Sequence, residues 1–342
     1  MDDALWIRAL HAGDRDEATA RAGTDPARRA ALGEAARLYA WDGPGDVASA
    51  RGPQVEVLRA LRHLASLGAV EPPPASDRED DGAGWAGCAA ALSAFARGAP
   101  IAPPPALDGE DAALRVTQMC VRGLAALTDG ALDAATQHAR RASRAAYAEG
   151  LRGLEYLAYW LLGRTRRETQ NLHAATRIFG ALARSAPPAW WPLVDWELAL
   201  AGGDAQAAQR PLTAPASRWL EAVGHAQAER WDASRAALDA LGAHPLPSRF
   251  AAERDLLVGG MTGAAARGGR GQVAGALFES AERIGLTPAV WTVEPGRPGV
   301  LRWFLGVPRE AARLLLEEGE RMQKLAACLA EAGPGGRAHD DA

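Results

Sequence analysis

The chain has 342 residues and a formal net charge of −4, which allows two or three domains or one continuous solenoid with an end domain. Alanine supplies much of the 48% hydrophobic fraction, and arginine replaces lysine everywhere except at Lys324. This usage is typical of a GC-rich, bacterial coding background. The single lysine argues against a GxxxxGKS phosphate loop and against Schiff-base chemistry, because both need a suitably placed amine.

Three cysteines, Cys88, Cys120 and Cys328, are odd in number and far apart, which predicts a reducing compartment rather than a disulfide framework. The acidic start, MDDALWIRAL, is unlike a signal peptide. No apolar run reaches the roughly 20 residues that a membrane-spanning helix needs. We therefore expect a cytoplasmic protein without a membrane segment.

Residues 1–70 contain three helical stretches separated by turns, which predicts an N-terminal helical unit of about three helices. The third stretch has an apolar stripe at helical spacing. Its members are Val55, Leu58, Leu61, Leu64 and Leu67.

Residues 71–111 carry two runs of three prolines, at 72–74 and 103–105, each followed by an acidic cluster. Proline runs cannot continue a helix, so we predict extended linkers here. One short helix, from Trp85 to Arg97, is expected between them.

Residues 112–290 contain two segments, about 40 residues apart, that align on their turns. The first contains Gly123, Gly130, Leu132, Ala135 and Ala142; the second contains Tyr159, Leu162, Gly163, Leu172, Ala175, Phe179 and Pro187. Small residues let two helices approach closely, and large ones fill the gap to the neighbouring pair. The pattern therefore predicts successive helical hairpins.

This arrangement of small, aromatic and closing proline residues resembles the tetratricopeptide repeat. Weaker copies follow around Gly202–Gly203, between Trp219 and Pro245, and over residues 250–284, so the resemblance covers about half of the chain. It implies an all-α fold, an α–α superhelix that presents a concave surface to peptides or partner proteins. An irregular helical bundle is the alternative fold.

Residues 291–332 are predicted to form a connector and a C-terminal helix that caps the superhelix, and residues 333–342 are predicted to form a disordered tail.

The glycine-rich string GGMTGAAARGGRGQVAG matches part of a dinucleotide fingerprint, but a predicted helix precedes it instead of a strand. We interpret it as a loop. The histidines show no metal-binding spacing and no nucleophile motif is present, so no catalytic residue, metal or cofactor is predicted.

Charge is distributed unevenly along the chain. Residues 1–111 have a balance of −7, whereas residues 112–187 have a balance of +6. Arginines on a concave helical surface offer paired donors to carboxylates, which favours an acidic partner segment. The predicted partner-binding residues are Arg122, Arg152, Tyr156, Tyr159, Arg164, Arg167 and Trp196.

Other interpretations of the basic segment stay open. It could be a solvated face, or the acidic linkers SDREDDG and DGED could occupy it until a partner displaces them. The negative net charge argues against nucleic acid as the partner. The sequence therefore predicts a non-enzymatic scaffold or adaptor. The alternative is a regulatory protein that senses a ligand or peptide and is linked to transcription or signalling. The third hypothesis is an enzyme with a site between helices, which no motif supports.

Overall fold

The computed structural model describes residues 2–41, 52–69, 84–102, 111–169, 171–227, 230–251 and 253–254, with two short strands further along the chain. The N-terminal helices are α1 (Asp2–Ala12), α2 (Arg15–Ala22), α3 (Pro26–Tyr39), α4 (Pro53–Ala65) and α5 (Trp85–Arg97). The helices that follow are α6 (Ala112–Thr128), α7 (Leu132–Ala148), α8 (Arg152–Glu168) and α9 (Leu172–Ser185). Up to residue 254 the regular structure of the described residues is helical.

A 3₁₀ turn, Pro188–Trp190, leads into α10 (Trp191–Leu200). The remaining complete helices are α11 (Ala205–Ala208), α12 (Ala214–Gln227) and α13 (Trp231–Gly242). Residues 248–251 and 253–254 are also helical and are called the distal helix below.

Several helices begin at an acidic residue whose side chain accepts hydrogen bonds from the first turn. Asp25 Oδ1 accepts from the Ala27 and Arg28 amides at 2.7 and 3.1 Å, and Pro26 occupies the first helical position. Asp14 caps α2 in the same way after Gly13, which has a φ of +79°. The N-terminal stretch therefore divides at Gly13, and residues 2–65 form four helices where three were predicted.

Two successive helical hairpins, α6–α7 and α8–α9, form the middle of the protein, and α8 also contacts both α6 and α7. Short turns join the members of each hairpin, as expected for antiparallel neighbours. Glycines permit close packing between and within the hairpins: a Cβ added to Gly123 on α6 would lie 2.6 Å from Leu161 Cδ2 on α8, and one added to Gly163 on α8 would lie 2.6 Å from Phe179 Cε1 on α9. The predicted role of these small residues is confirmed.

The next predicted hairpin is incomplete. Its turn at Gly202–Gly203 follows α10 as expected, but α11 is only one turn long. Gln209 takes the left-handed conformation (φ +58°) at the end of α11, and Pro211, which has no amide hydrogen to donate, follows. The α12–α13 hairpin then resumes the pattern.

The N-terminal helices pack against the hairpins. Helix α1 contacts α6 and α8, α5 contacts α6, and α4 contacts α10. One apolar core extends from Trp6 to Phe250, and it includes Phe95 on α5 and Trp160 on α8 with ring centroids 5.8 Å apart. Helices α6, α8 and α10 are therefore covered by N-terminal helices, and the predicted helix Trp85–Arg97 is part of the core.

Two strands, β1 (Val290–Val293) and β2 (Leu301–Phe304), pair antiparallel, with Val290 opposite Phe304. Apart from Val290, both strands lie within residues 291–332, where the connector is predicted. The predicted capping helix, the tail, the glycine-rich string, Lys324 and Cys328 lie outside the described residues. In the described part of the chain, no helix combines the length and apolarity needed to cross a bilayer.

We expect Gly163→Ala to destabilise the fold by about 1–3 kcal/mol, because the new methyl group would overlap the Phe179 ring. Gly180→Ala on the facing helix α9 is the matched control, since its Cβ would lie 3.5 Å from Ala207 in ordinary contact. The control should be neutral or stabilising by up to about 1 kcal/mol through helix propensity. Urea unfolding followed by circular dichroism measures both; equal effects would contradict the proposed close packing.

Candidate functional site

The structure divides the predicted partner-binding residues into a buried group and a surface group. Arg164, Arg167 and Trp196 have only 1%, 2% and 0% of their surface exposed. A partner cannot reach them in this structure, so their prediction as surface contacts is corrected. The sequence reasoning failed because it placed these residues on an open concave face, whereas N-terminal helices and the distal helix cover it.

The two buried arginines belong to a cluster of charged side chains, which we call the ionic core. Its members are Arg164, Arg167 and Glu168 on α8, Glu197 on α10, and Arg249 and Glu253 on the distal helix. All six are buried, and the cluster contains as many arginines as glutamates. A buried charge is tolerated only when opposite charges and hydrogen bonds replace water.

Arg164 is the centre of the ionic core. Its Nε donates to Glu168 Oε1 at 2.8 Å, and its Nη1 donates to Glu197 Oε1 at 2.7 Å and to Glu253 Oε2 at 3.1 Å. One guanidinium therefore binds carboxylates from three helical segments, using the fixed fork of donors that arginine provides.

Arg167 and Arg249 complete the cluster. Arg167 Nη2 donates to Glu253 Oε1 at 2.6 Å, and Arg167 Nε lies 2.9 Å from Glu197 Oε2. The Arg249 guanidinium lies 4.1 Å from the centroid of the Phe95 ring, a cation–π arrangement that joins the distal helix to α5.

The charges act on one another through a poorly solvated interior. Burial acts to raise the pKa of Glu253, but Arg164 and Arg167 outweigh it and lower that pKa to about 2. Burial, followed by the charge of Arg164, lowers the pKa of Arg249 to about 9. Both groups are therefore charged at neutral pH, and the attraction between opposite charges of the cluster links the helices that carry them.

Arg164→Met should destabilise the protein by about 3–5 kcal/mol, because it leaves buried carboxylates without their main partner. Arg218→Met is the matched control: Arg218 forms an exposed pair with Glu221 at 2.7 Å, worth less than about 1 kcal/mol. Urea unfolding gives both values. A loss for Arg164→Met no larger than the control's would show that the ionic core does not hold these helices.

Two residues of the surface group, Tyr156 and Tyr159, line a groove between α8 and α9. The groove has a volume of about 420 Å³. Its lining residues are Glu155, Tyr156, Tyr159, Ala174, Arg177, Ile178, Ala181, Leu182 and Ser185. We call it the α8–α9 groove. It brings together the predicted Tyr156 and Tyr159, and Tyr159 is 36% exposed.

A second cavity, of about 350 Å³, adjoins the groove at Tyr156, which lines both. Its lining residues are Ala12, Gly13, Asp14, Tyr39, Trp41, Arg152, Gly153, Tyr156 and Pro187. We call it the Arg152 pocket. The predicted Arg152 is exposed there, next to residues from the ends of α1 and α3 that sequence reasoning did not select.

Arg122 lines neither cavity. It is partly exposed on α6. On the neighbouring helix α7, burial and the charges of Arg122 and Arg141 lower the pKa of His138. Arg122 and Arg141 therefore create a positive potential around His138. The sequence reasoning also missed Arg177 and Ile178 on α9, although their spacing from Ala174 and Leu182 places these positions on one side of that helix.

Tyr39 is held in the wall of the Arg152 pocket by a buried hydrogen-bonded chain. The Tyr39 hydroxyl lies 3.5 Å from His11 Nδ1, and His11 Nε2 lies 3.1 Å from Gln54 Oε1. These partners fit a neutral imidazole that accepts from Tyr39 and donates to Gln54. The imidazole also stacks on Trp85, with ring centroids 5.2 Å apart and planes 8° apart.

The described residues contain no group of three histidine, cysteine or acidic side chains that could hold a metal ion. No family model, curated protein or solved structure matches the chain.

Burial lowers the pKa of His11 to about 4, against 6.5 for an ordinary histidine. Between these values the unfolded chain binds a proton that the folded protein excludes, so stability falls as pH decreases below 6.5. From pH 7 to pH 5 this group alone should cost about 2 kcal/mol.

Urea unfolding of the wild type and of His11→Gln at both pH values measures this contribution. The variant should lose less stability on acidification than the wild type. His173→Gln, at an exposed site on α9, is the control and should follow the wild type. The same acid sensitivity in His11→Gln as in the wild type would contradict a neutral, buried His11.

Proposed function

We propose that the protein is a non-enzymatic interaction scaffold with tetratricopeptide-like helical hairpins, and that its α8–α9 groove binds an acidic peptide segment of a partner protein. The observation that carries the proposal is the groove itself, where the aromatic side chains of Tyr156 and Tyr159 lie beside Ile178 and Arg177. Binding sites commonly combine apolar walls with a few charged groups that orient the ligand.

The groove offers an apolar anchor site. Tyr156 and Tyr159, one helical turn apart on α8, face Ile178 and Leu182 on α9 across it. A tyrosine that is one-third exposed gives a large contact area at low entropic cost, which is why aromatic residues dominate binding energies at interfaces. An aromatic or aliphatic side chain of the peptide would fill this space.

The basic balance of the segment that contains the groove favours an acidic ligand, while the groove lining itself has one arginine, Arg177, and one acid, Glu155. Within residues 112–187, nine arginines are at least partly exposed, against four acidic residues. Among the described residues, Arg177 in the groove and Arg140, Arg141 and Arg144 on α7 form no ion pair. Such arginines attract carboxylates over several ångströms and accelerate encounter with an acidic segment.

The proposed surface differs from the concave face that the tetratricopeptide resemblance implies. Helices α1, α4 and α5 contact α6, α8 and α10, and the groove lies between α8 and α9. A cytoplasmic location fits Cys88 and Cys120, which are buried and free.

The second candidate function is a ligand-sensing regulator, favoured by the Arg152 pocket beside the groove.

Selection of a random displayed peptide library on the intact chain tests the proposal. We expect the selected peptides to combine acidic residues with an aromatic or aliphatic residue. Fluorescence anisotropy with a synthetic selected peptide should show binding that is weakened about tenfold or more by Tyr159→Ala and by Arg177→Glu, and that falls with added salt.

Two controls match these substitutions. Tyr147→Ala removes a tyrosine that is 74% exposed on α7, and Arg235→Glu reverses an exposed charge on α13; neither residue lines the groove. Both should leave peptide affinity unchanged. Failure to select any peptide, or equal losses in the groove variants and the controls, would refute the proposed binding surface.

A further inference from the structure

The Arg152 pocket presents two opposite charges that do not pair with each other. Asp14 and Arg152 both line it and both are exposed, yet no ion pair joins them. Asp14 Oδ1 accepts the Glu17 amide at 3.1 Å as the cap of α2, and the structure gives Oδ2 no hydrogen bond to a described residue. The pocket therefore offers a carboxylate and a guanidinium to the same ligand.

Three of the remaining lining residues are aromatic. Tyr39, Tyr156 and Trp41 line the pocket, and the Tyr39 and Trp41 rings lie 5.7 Å apart at 50°. The Tyr39 hydroxyl is fixed by the buried His11, and the Tyr156 hydroxyl donates to the Ser185 carbonyl at 3.4 Å. These rings are positioned before any ligand binds, which lowers the entropic cost of binding.

The pair of charges selects the ligand class. A simple anion would be attracted by Arg152 and repelled by Asp14. A simple cation would be attracted by Asp14 and repelled by Arg152. A zwitterion satisfies both groups, because a ligand carboxylate binds the guanidinium and a ligand ammonium binds the aspartate. The volume of about 350 Å³ is at the small end of ligand sites, which are roughly 300–1,000 Å³.

We propose that the Arg152 pocket binds a free α-amino acid with an aromatic side chain. Its carboxylate binds Arg152, its ammonium group binds Asp14, and its ring packs against Tyr39, Trp41 and Tyr156. The pocket stands on its own residues and goes beyond the peptide groove, which shares only Tyr156 with it.

Isothermal titration calorimetry with L-phenylalanine on the intact protein tests the proposal. We expect a dissociation constant below about 1 mM. Two analogues each lack one charge: 3-phenylpropanoate lacks the ammonium group, and 2-phenylethylamine lacks the carboxylate. Each should bind at least about tenfold more weakly than L-phenylalanine, since each leaves one pocket charge unpaired.

Asp14→Asn and Arg152→Gln are the matching protein variants. Asparagine caps a helix as well as aspartate does, so the first variant removes the charge and keeps α2. Both variants should weaken L-phenylalanine binding at least about tenfold. Tyr159→Ala and Arg177→Glu, in the groove alone, should leave it unchanged, which separates this site from the peptide surface.

Absence of L-phenylalanine binding at millimolar concentration would overturn the proposal. Binding of either single-charge analogue as tightly as L-phenylalanine would overturn it as well, as would unchanged L-phenylalanine binding in Asp14→Asn and Arg152→Gln. None of these outcomes contradicts the proposal that the α8–α9 groove binds a peptide, because that proposal is tested by its own variants.

Discussion

The fold depends on the need to neutralise Arg164 and Arg167 in the interior of the protein. Each guanidinium lies on α8 among apolar helices, where solvation by water is lost, so carboxylates must come from other segments. Glu197 supplies one from α10 and Glu253 another from the distal helix. The ionic core thus determines which helices pack against α8. Apolar contacts between alanine-rich helix faces alone would specify this choice of neighbours only weakly.

The placement of the candidate sites follows from this arrangement. One side of α8 faces the ionic core and the N-terminal helices, and the side with Tyr156 and Tyr159 faces solvent next to α9. The start of α8 meets the end of α3, where a Cβ on Gly153 would lie 2.5 Å from the Tyr39 ring. A single helix therefore supplies residues to the core, to the groove and to the Arg152 pocket.

Local sequence signals predicted the local structure well. Helical spacing, turn glycines and proline positions are sufficient to predict the helix Trp85–Arg97 and the hairpins α6–α7 and α8–α9, and the glycines within helices indicate their close packing. The long-range arrangement was not accessible, because charge order cannot show whether an arginine is solvated or buried. Arg164 and Arg167 looked like surface groups for this reason, while Tyr39 and Asp14 join Arg152 only through tertiary contacts between distant segments.

The separation of the ionic partners along the chain has a consequence for biosynthesis. Arg164 and Arg167 bind Glu253 across 89 and 86 residues. Chains emerge from the ribosome from the N-terminus, at about 5–20 residues per second. Several seconds therefore pass between the synthesis of α8 and that of the distal helix, and during this time Arg164 and Arg167 lack Glu253 as a partner. The hairpins can form early, but the ionic core is complete only after residue 253 has left the ribosome.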